Sequence, residues 1–256
     1  DKFAYEFATT LASFGDAKDG RGFHLVGSKA GKAAAQYAYD TFKKIGLKPQ
    51  FHTFPATGWE YYSSDITIKG HEDLDLYITS APYTPPTPPE GITGQLVYLG
   101  YATKADLEGV DLTGKIALVD FDWDYTLWMN NIEHQVANHG AIGLIYYTTN
   151  PYGSDESGQA EFVGDWSGVK ATIPTWSMRQ ADGKLLSELA SNEELIVTVT
   201  SDCKTIENAT GYNVLATIKG AKYPDEYIVI TAHTDAYFKC LQDDSAPVGI
   251  LMAMAK

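Results

Sequence analysis

The sequence lacks several features that would each indicate a particular class of protein. It has no run of about 18 or more apolar residues, and its first residues, DKFAYEFATTLASFGD, have neither the basic start nor the apolar core of a signal peptide. HExxH and GxSxG motifs are absent, so single-zinc and serine-hydrolase mechanisms have no anchor in this sequence. We therefore expect no membrane span and neither of these two hydrolase types.

Basic residues and cysteines are also few. The 19 lysines and arginines are scattered among 33 acidic residues, and the net charge is −14. A continuous basic surface for phosphates cannot be assembled from them, so nucleic acid is not an expected partner. Cys203 and Cys240 are too few for a disulfide scaffold and have no CxxC spacing for structural zinc. One disulfide bond between them stays open, but two free buried thiols are favoured.

Apolar residues are plentiful enough for one large domain or two smaller ones. The chain has 256 residues, of which 44% are hydrophobic and 20% charged. Apolar residues at three- and four-residue steps predict an amphipathic helix over 30–45, and β-favouring residues predict extended structure over 48–68. Five prolines between 81 and 91 predict a linker or a domain boundary, because proline fits neither a helix interior nor a central strand.

The middle of the chain alternates short strand patterns with helical ones. Helical periodicity appears over 127–139 and 181–191. The predicted strands are 95–99, 115–120, 142–147, 174–177 and 195–200. This alternation predicts a mixed sheet with flanking helices.

Two further strands and a helix are predicted after residue 211. Residues 212–218 form one strand, and the apolar, β-branched run 227–232 has the pattern of a buried central strand. Residues 244–256 read as a helix with Pro247 near its first turn. We expect the chain to stop inside that helix and to leave its apolar face uncovered. The face consists of Val248, Leu251, Met252 and Ala255.

A histidine and three aspartates follow the predicted buried strand. His233 and Asp235 come directly after it, and Asp243 and Asp244 precede the last helix. Side chains at the carboxyl end of a central strand lie where open α/β sheets usually build their sites. An imidazole whose remote nitrogen is held by a carboxylate is a good zinc ligand. We therefore predict that His233 binds zinc, that Asp235 orients it, and that Asp243 bridges two ions.

These motifs resemble consecutive signatures of the two-zinc aminopeptidase family, which includes aminopeptidase Y and glutamate carboxypeptidase. The matching stretches are 21–28 (RGFHLVGS), 212–220 (YNVLATIKG), 227–235 (YIVITAHTD) and 243–246 (DDSA). The resemblance implies that His233 binds one zinc ion, that Asp235 supports it and that Asp243 bridges both ions. Pro247 stands where the family usually has glycine, so the entry to the last helix is expected to differ locally.

The segment from 91 to 202 resembles a protease-associated (PA) domain. The matching stretches are 93–101 (TGQLVYLGY), 109–120 (GVDLTGKIALVD), 139–146 (HGAIGLIY) and 173–175 (IPT). The resemblance implies an α/β protein in which the PA domain is inserted into the N-terminal part of a zinc-peptidase domain. We expect residues 1–65 to form the first part of the peptidase domain and residues 66–205 to form a linker plus the PA domain. Residues 206–256 are expected to form the incomplete start of the peptidase core.

The function implied by this resemblance is hydrolysis of peptide bonds at a chain terminus by a centre with two zinc ions. The general-base glutamate and further zinc ligands are expected beyond residue 256, so this chain alone is expected to be inactive and to bind zinc weakly or not at all. A non-catalytic binding or receptor-type module is the alternative. The expected partner is a peptide substrate, with self-association through the incomplete domain, and the expected location is secreted or in the cell envelope.

An aromatic cluster in the PA segment allows two interpretations. Phe121, Trp123, Tyr125 and Trp128 lie within eight residues of one another. Such a cluster usually belongs to a core or a domain interface. Contact with substrate is the alternative interpretation.

Overall fold

The structure is a computed structural model, and it describes residues 2–15, 23–122, 124, 128–149, 170–238 and 240–256. The α-helices are Lys2–Ala12 (α1), Lys29–Lys44 (α2), Lys104–Leu107 (α3), Met129–Asn138 (α4), Gln180–Asn192 (α5) and Ala246–Ala255 (α6). The β-strands are Phe23–His24 (β1), Gln50–Ile68 (β2), Ile78–Ser80 (β3), Ile92–Tyr98 (β4), Ile116–Phe121 (β5), Gly143–Thr148 (β6), Thr175–Met178 (β7), Leu195–Leu215 (β8) and Ala236–Tyr237 (β9). The predicted α/β class is confirmed.

The chain divides into two compact units. The first consists of Asp1–Tyr62 and Thr205–Lys256, and the second of Ser63–Lys204. These limits lie close to the expected ones at 65 and 206. The assignment of the first unit to a peptidase domain stays a prediction.

The second unit is built on a mixed sheet of seven strands, in the order β2-β8-β4-β5-β6-β7-β3. Strands β4 to β7 run parallel, and each is the neighbour of the next. The strands β8 and β3 pair antiparallel with β4 and β7. Consecutive parallel strands need crossover connections, and α3 and α4 lie in the connections that follow β4 and β5. The helical and strand patterns predicted for this region are therefore confirmed.

The core of the second unit lies on this sheet. Leu96, Ile116, Leu118 and Ile145 are buried in it, together with Trp176. The outer strands also come together, because the Ser80 hydroxyl at the end of β3 lies 2.8 Å from that of Ser64 on β2 and contacts Ser201 on β8. The sheet is therefore strongly curled, with buried hydroxyl groups joining its two edges.

The proline-rich segment 81–91 is packed into the second unit and is not a free linker. Thr84 is fully buried, and its Oγ1 accepts a hydrogen bond from the backbone of Thr175. The Thr87 Oγ1 accepts another from the backbone of Ser201. The expectation of a linker is wrong here, because side-chain and carbonyl oxygens of the segment replace the backbone hydrogen bonds that proline cannot donate.

Three helices form the core of the first unit. Helices α1, α2 and α6 bury one cluster, which consists of Phe7, Leu11, Ala34, Ala38, Phe42, Val248 and Met252. The last two residues belong to the α6 face that was expected to be uncovered. That expectation is wrong, because α1, which the sequence analysis did not identify, covers this face. The exposed apolar residues of α6 are instead Ile250 and Met254.

The start of α2 is fixed by side chains. Ser28 precedes the helix, and its Oγ accepts a hydrogen bond from the backbone of Gly31. The buried carboxylate of Glu60 accepts another from the backbone of Lys29. Both bonds satisfy donors that the first turn of a helix leaves unpaired. Gly27 has a φ of +76°, and a Cβ there would lie 2.7 Å from Ala209, so glycine is required at this turn.

The predicted buried strand 227–232 is the largest error in the sequence analysis. This segment has no regular secondary structure, and its residues are exposed except for Ala232, which is partly buried. Ile228 is 94% and Val229 79% exposed. A strand becomes buried when neighbouring strands pair with it and side chains cover its faces. Within the described ranges no strand pairs with 227–232, and β8, its expected neighbour, lies between β2 and β4 in the sheet.

Two smaller expectations can also be compared with the structure. Cys203 and Cys240 are both free, as favoured, although Cys240 is partly exposed. No helix among the described residues is long and apolar enough to cross a membrane.

Candidate metal centre

His233 and the two aspartates lie on either side of a short strand in the first unit. Strand β9 follows His233 and pairs antiparallel with β1. An irregular turn, Leu241–Ser245, carries Asp243 and Asp244 and leads into α6. The β1–β9 pair therefore fixes one end of the site, and the helical core below α6 fixes the other.

The structure brings the two predicted metal ligands together. The Nε2 of His233 lies 2.8 Å from the Oδ1 of Asp243. Both side chains face solvent, with 50% of His233 and 76% of Asp243 exposed. A shared metal ion requires ligand atoms only a few ångströms apart, and this pair meets that requirement. Metal binding itself stays a prediction.

Asp235 lies beside His233 and holds the ring mainly through its backbone. The Nδ1 of His233 is 2.9 Å from the carbonyl oxygen of Asp235 and 3.3 Å from its carboxylate Oδ1. Because a carbonyl oxygen can only accept, Nδ1 carries the proton in this contact. The Nε2 lone pair of the neutral ring is then the one available to a metal ion. The sequence analysis had expected the carboxylate in this role.

Asp244 is a third member of the cluster, and the sequence analysis gave it no role. Its Oδ2 lies 3.4 Å from the Nε2 of His233 and accepts a hydrogen bond from the His233 backbone. One ligand atom from each of His233, Asp243 and Asp244 lies within 4.8 Å of the other two. The Asp-Asp pair in the sequence was the available signal for this contribution.

The charges around His233 favour its protonated form. Burial lowers the pKa of His233, but the hydrogen bond to the Asp235 carbonyl and the negative charges of Asp235 and Asp244 outweigh burial and raise it above its ordinary value. The hydrogen bond to Asp243 acts in the same direction. A proton on Nε2 therefore competes with a cation for this position.

The donor set fits a zinc ion. One imidazole nitrogen and two carboxylate oxygens are ligands that zinc accepts, at about 2.0–2.2 Å each. The present Nε2–Oδ1 separation of 2.8 Å is that of a hydrogen bond, and the ligand atoms would have to move slightly apart around an ion. Among the described residues no other group of three histidine, cysteine or acidic side chains is close enough to hold a metal ion.

Aromatic and histidine side chains support the β1–β9 pair from below. Phe23 of β1 packs against Trp59, Tyr61, Tyr237 and Phe238, with ring centroids 5.0–5.9 Å apart. His24, the other residue of β1, is fully buried. A sequence pattern could not identify His24 as a neighbour of the site, because the pairing of β1 with β9 joins residues more than 200 positions apart.

Other residues singled out in the sequence lie elsewhere. Phe121 is buried in the second unit, whereas Trp128 is exposed. Trp123 and Tyr125 lie outside the described residues, as do Arg21 and Gly22 of the 21–28 motif. The two interpretations of the aromatic cluster therefore both stay open.

Comparison with known proteins identifies the middle of the chain. Residues 92–186 match the family described as PA domain. This range covers β4 to β7 and the first half of α5. The second unit therefore contains a PA domain, as the resemblance implied.

Curated relatives match most of the chain. Carboxypeptidase Q from Bos taurus is 24% identical over 227 residues, which are 84% of this chain and 47% of that protein. Leucine aminopeptidase 2 from Arthroderma otae is 26% identical over 221 residues, which are 83% of this chain and 40% of that protein. The chain thus spans about half the length, or less, of the curated relatives it matches.

Solved structures show the same fold. The match to a zinc aminopeptidase from Bacillus subtilis covers 99% of this chain and 56% of that protein, with a TM-score of 0.70 and 22% identity. The match to a peptidase M28 precursor from Shewanella amazonensis covers 100% of this chain and 59% of that protein, with a TM-score of 0.73 and 23% identity. The chain therefore has the fold of these two structures over almost all of its length.

Proposed function

We propose that the chain is part of a zinc-dependent exopeptidase, with His233, Asp243 and Asp244 as ligands of its metal centre. The observation that carries the proposal is that one ligand atom of each residue lies within 4.8 Å of the others. The names of the relatives, which include a carboxypeptidase and a leucine aminopeptidase, support peptidase chemistry. Secretion or placement in the cell envelope is part of the same proposal.

The residues of this chain would bind and orient the metal. A bound zinc ion supplies Lewis acidity and lowers the pKa of a coordinated water. His233 would offer Nε2, because the Asp235 carbonyl holds the proton on Nδ1. Asp243, whose carboxylate has two oxygens and is largely exposed, is the residue best placed to bridge a second ion. Asp244 would complete the first ligand group.

We also propose that this chain by itself is inactive. Each zinc ion of a two-metal hydrolase needs about three protein ligands and a water. The described residues supply one group of three ligand atoms, and a carboxylate shared by two ions cannot complete both. Zinc affinity is expected to be about micromolar or weaker, since few ligands contribute and a proton competes for His233.

A calorimetric titration of zinc into this chain tests the proposal. The unchanged chain should bind with about micromolar affinity, and Asp243→Asn should weaken binding about tenfold or more. Asp225→Asn is the matched control, because Asp225 is exposed and lies outside the cluster. An aminoacyl amide should not be hydrolysed in the same samples.

Three results would contradict parts of this proposal. Equal affinities of the unchanged chain and Asp243→Asn would remove Asp243 from the site. Nanomolar binding would show that further ligands complete it. Hydrolysis that stops when a chelator is added would show that the chain is active as it stands.

A non-catalytic binding module is the second candidate function. The high exposure of Asp243 favours it, because a carboxylate attracts a cation less strongly in water than in a buried site. In that case zinc would produce no heat of binding at millimolar concentration, and the chain would remain folded without metal. The titration above therefore discriminates between the two functions.

We further propose that the chain self-associates through residues 227–230. Tyr227, Ile228, Val229 and Ile230 are 52–94% exposed, and the run 227–232 contains neither charge nor proline. An unpaired segment of this composition is a template for another strand. Two copies could pair antiparallel through the same residues, which gives a closed, two-fold symmetric contact.

Sedimentation velocity over a range of concentrations tests self-association. The unchanged chain should show a reversible dimer, whereas Val229→Lys should stay monomeric because each copy would place a charge in the contact. Thr9→Lys, on an exposed position of α1, adds the same charge away from the segment and should still dimerise. A monomer at all concentrations, irregular aggregates, or dimerisation of Val229→Lys would contradict the proposal.

A further inference from the structure

His24 is a fully buried histidine directly behind the candidate metal centre. It lies on β1, opposite Ala236 of β9. Asp235, whose carbonyl oxygen holds the His233 ring, immediately precedes Ala236. A change in the position of His24 would therefore be transmitted to the backbone that orients His233.

The hydrogen bond of His24 leads to the helical core of the same unit. Its Nδ1 lies 2.8 Å from the carbonyl oxygen of Phe14, just beyond the end of α1. The ring of Phe14 contacts Tyr37 of α2 at a centroid distance of 5.8 Å. This bond thus joins the β1–β9 pair to the core formed by α1, α2 and α6.

Helix α6 carries the other half of the site on the same core. It begins directly after the turn that contains Asp243 and Asp244. Helices α1 and α6 touch closely at Gly249, where a Cβ would lie 2.4 Å from the Ala4 carbonyl oxygen. The backbone of α6 therefore cannot shift freely against α1. His24 connects α1 to His233, and Gly249 connects α1 to the helix that follows Asp243.

The His24 ring is held in one protonation state by its surroundings. Burial lowers the pKa of His24, and the hydrogen bond to Phe14 together with the charge of Asp235 opposes this shift only in part. The carbonyl of Phe14 requires a proton on Nδ1. The Nε2 atom is buried and has no partner at full hydrogen-bond geometry, although the backbone of Thr234 is near enough to raise the pKa of the ring. A neutral ring with its proton on Nδ1 satisfies the contact with Phe14.

We propose that His24 is a positioning residue of the metal centre, which sets the separation of His233 and Asp243 by tying β9 to the helical core through Phe14. This inference rests on the proposed function for its significance, because the positioned atoms are the candidate ligands. It concerns the arrangement of the chain without metal, however, and can be tested in that state.

Two substitutions separate the hydrogen bond from the volume of the ring. His24→Leu fills a similar space but cannot donate to Phe14, whereas the amide nitrogen of His24→Asn can replace Nδ1 as the donor. His52→Leu is the matched control, since His52 is exposed and lies in the same unit. Hydrogen exchange of the β9 amides and nitrogen NMR of the His233 ring are measured in the metal-free chain. Exchange in α2 reports on the general stability of the unit.

In His24→Leu, we expect β9 exchange to rise about tenfold more than α2 exchange, and the His233 signals to lose the signature of the hydrogen bond to Asp243. His24→Asn should restore both, and His52→Leu should change neither. A uniform rise in β9 and α2 would show a merely structural role and would overturn the inference, as would an unchanged His233 signal in His24→Leu. If the chain binds no zinc but His24→Leu still separates His233 from Asp243, the proposed function fails and this inference stands.

Discussion

Strand β5 and the segment 227–232 have similar sequences and opposite environments. The first reads IALVDF and the second YIVITA. All six residues of β5 are buried, whereas residues 227–231 are exposed and only Ala232 is partly buried. The strand β5 pairs along its whole length with β6 and over residues 116–118 with β4, and among the described residues 227–232 pairs with no strand.

This contrast shows what an apolar, β-branched run does and does not predict. Such a run favours extended structure and burial wherever neighbouring strands are present. The neighbours are distant in sequence, so their presence is a property of the tertiary structure. The two regions therefore provide matched positions at which the effect of pairing can be measured.

Hydrogen exchange should show the largest difference between the two regions. The amides of β5 are hydrogen-bonded inside a buried sheet, and we expect them to exchange at least about a thousandfold more slowly than those of 227–232. The measurement needs a dilute sample in which the chain is monomeric. Equal protection in such a sample would mean that 227–232 is paired within one chain, and the comparison would break down.

Matched isoleucine substitutions sharpen the comparison further. Ile116 in β5 is fully buried and Ile228 is 94% exposed. Ile116→Ala should lower the free energy of unfolding of the second unit by about 2–5 kcal/mol through lost burial and a residual cavity. Ile228→Ala should change stability by less than about 0.5 kcal/mol. Denaturant unfolding of dilute samples measures both, and similar costs would contradict the assigned exposures.

A buried carboxylate anchors a loop of the second unit through hydrogen bonds. Among the described residues, no side chain makes such hydrogen bonds to the backbone of 227–230. The Oε1 of Glu133 accepts hydrogen bonds from the backbone of Thr172 and Ile173 and from the Thr172 hydroxyl. Glu133→Gln should cost about 1.5–3 kcal/mol of stability, because bonds to a charged acceptor are replaced by weaker bonds to a neutral one. The exposed Glu188→Gln is the control, and an equal, small effect of both would show that Glu133 is not an anchor.

The smallest effect concerns a tyrosine at the end of β4. Burial and the hydrogen bond to Asp120 raise the pKa of Tyr98 to about 12, from about 10 in an unfolded chain. The contribution of this hydroxyl to stability is therefore complete below pH 10 and is lost as the pH rises towards 12. NMR of carbon-labelled tyrosines should show a late titration that is absent in Tyr98→Phe, while Tyr147, whose pKa is raised by burial, also stays protonated above pH 10. Titration of every tyrosine near pH 10 would contradict this.

The sequence predicted the second unit well because its signals are local. The alternation of strands and helices from β4 to β8 can be read from short windows. The closure of the sheet by Ser64, Ser80 and Ser201 could not be predicted, because it joins residues up to 137 positions apart in three strands. The short elements β1, β3, β9 and α3 carry too few residues for a periodic signal.

The candidate site was predicted only in part, because only some of its residues are marked by a local sequence signal. His233 and Asp243 are marked by a local motif, and the structure brings them together. The contribution of Asp244 and the use of the Asp235 carbonyl depend on backbone geometry, which residue types alone do not reveal. His24 reaches the site through strand pairing, and no spacing in the sequence indicates that pairing.

The most direct test of the metal centre is nitrogen NMR of the histidine rings during a zinc titration. The chain has six histidines, and each ring nitrogen gives its own signal. We expect zinc to shift the Nε2 signal of His233 first, with the other five unchanged, and Asp243→Asn to weaken this response. A response centred on another histidine, or zinc binding that leaves His233 unchanged, would contradict the assignment of His233, Asp243 and Asp244 as the metal centre.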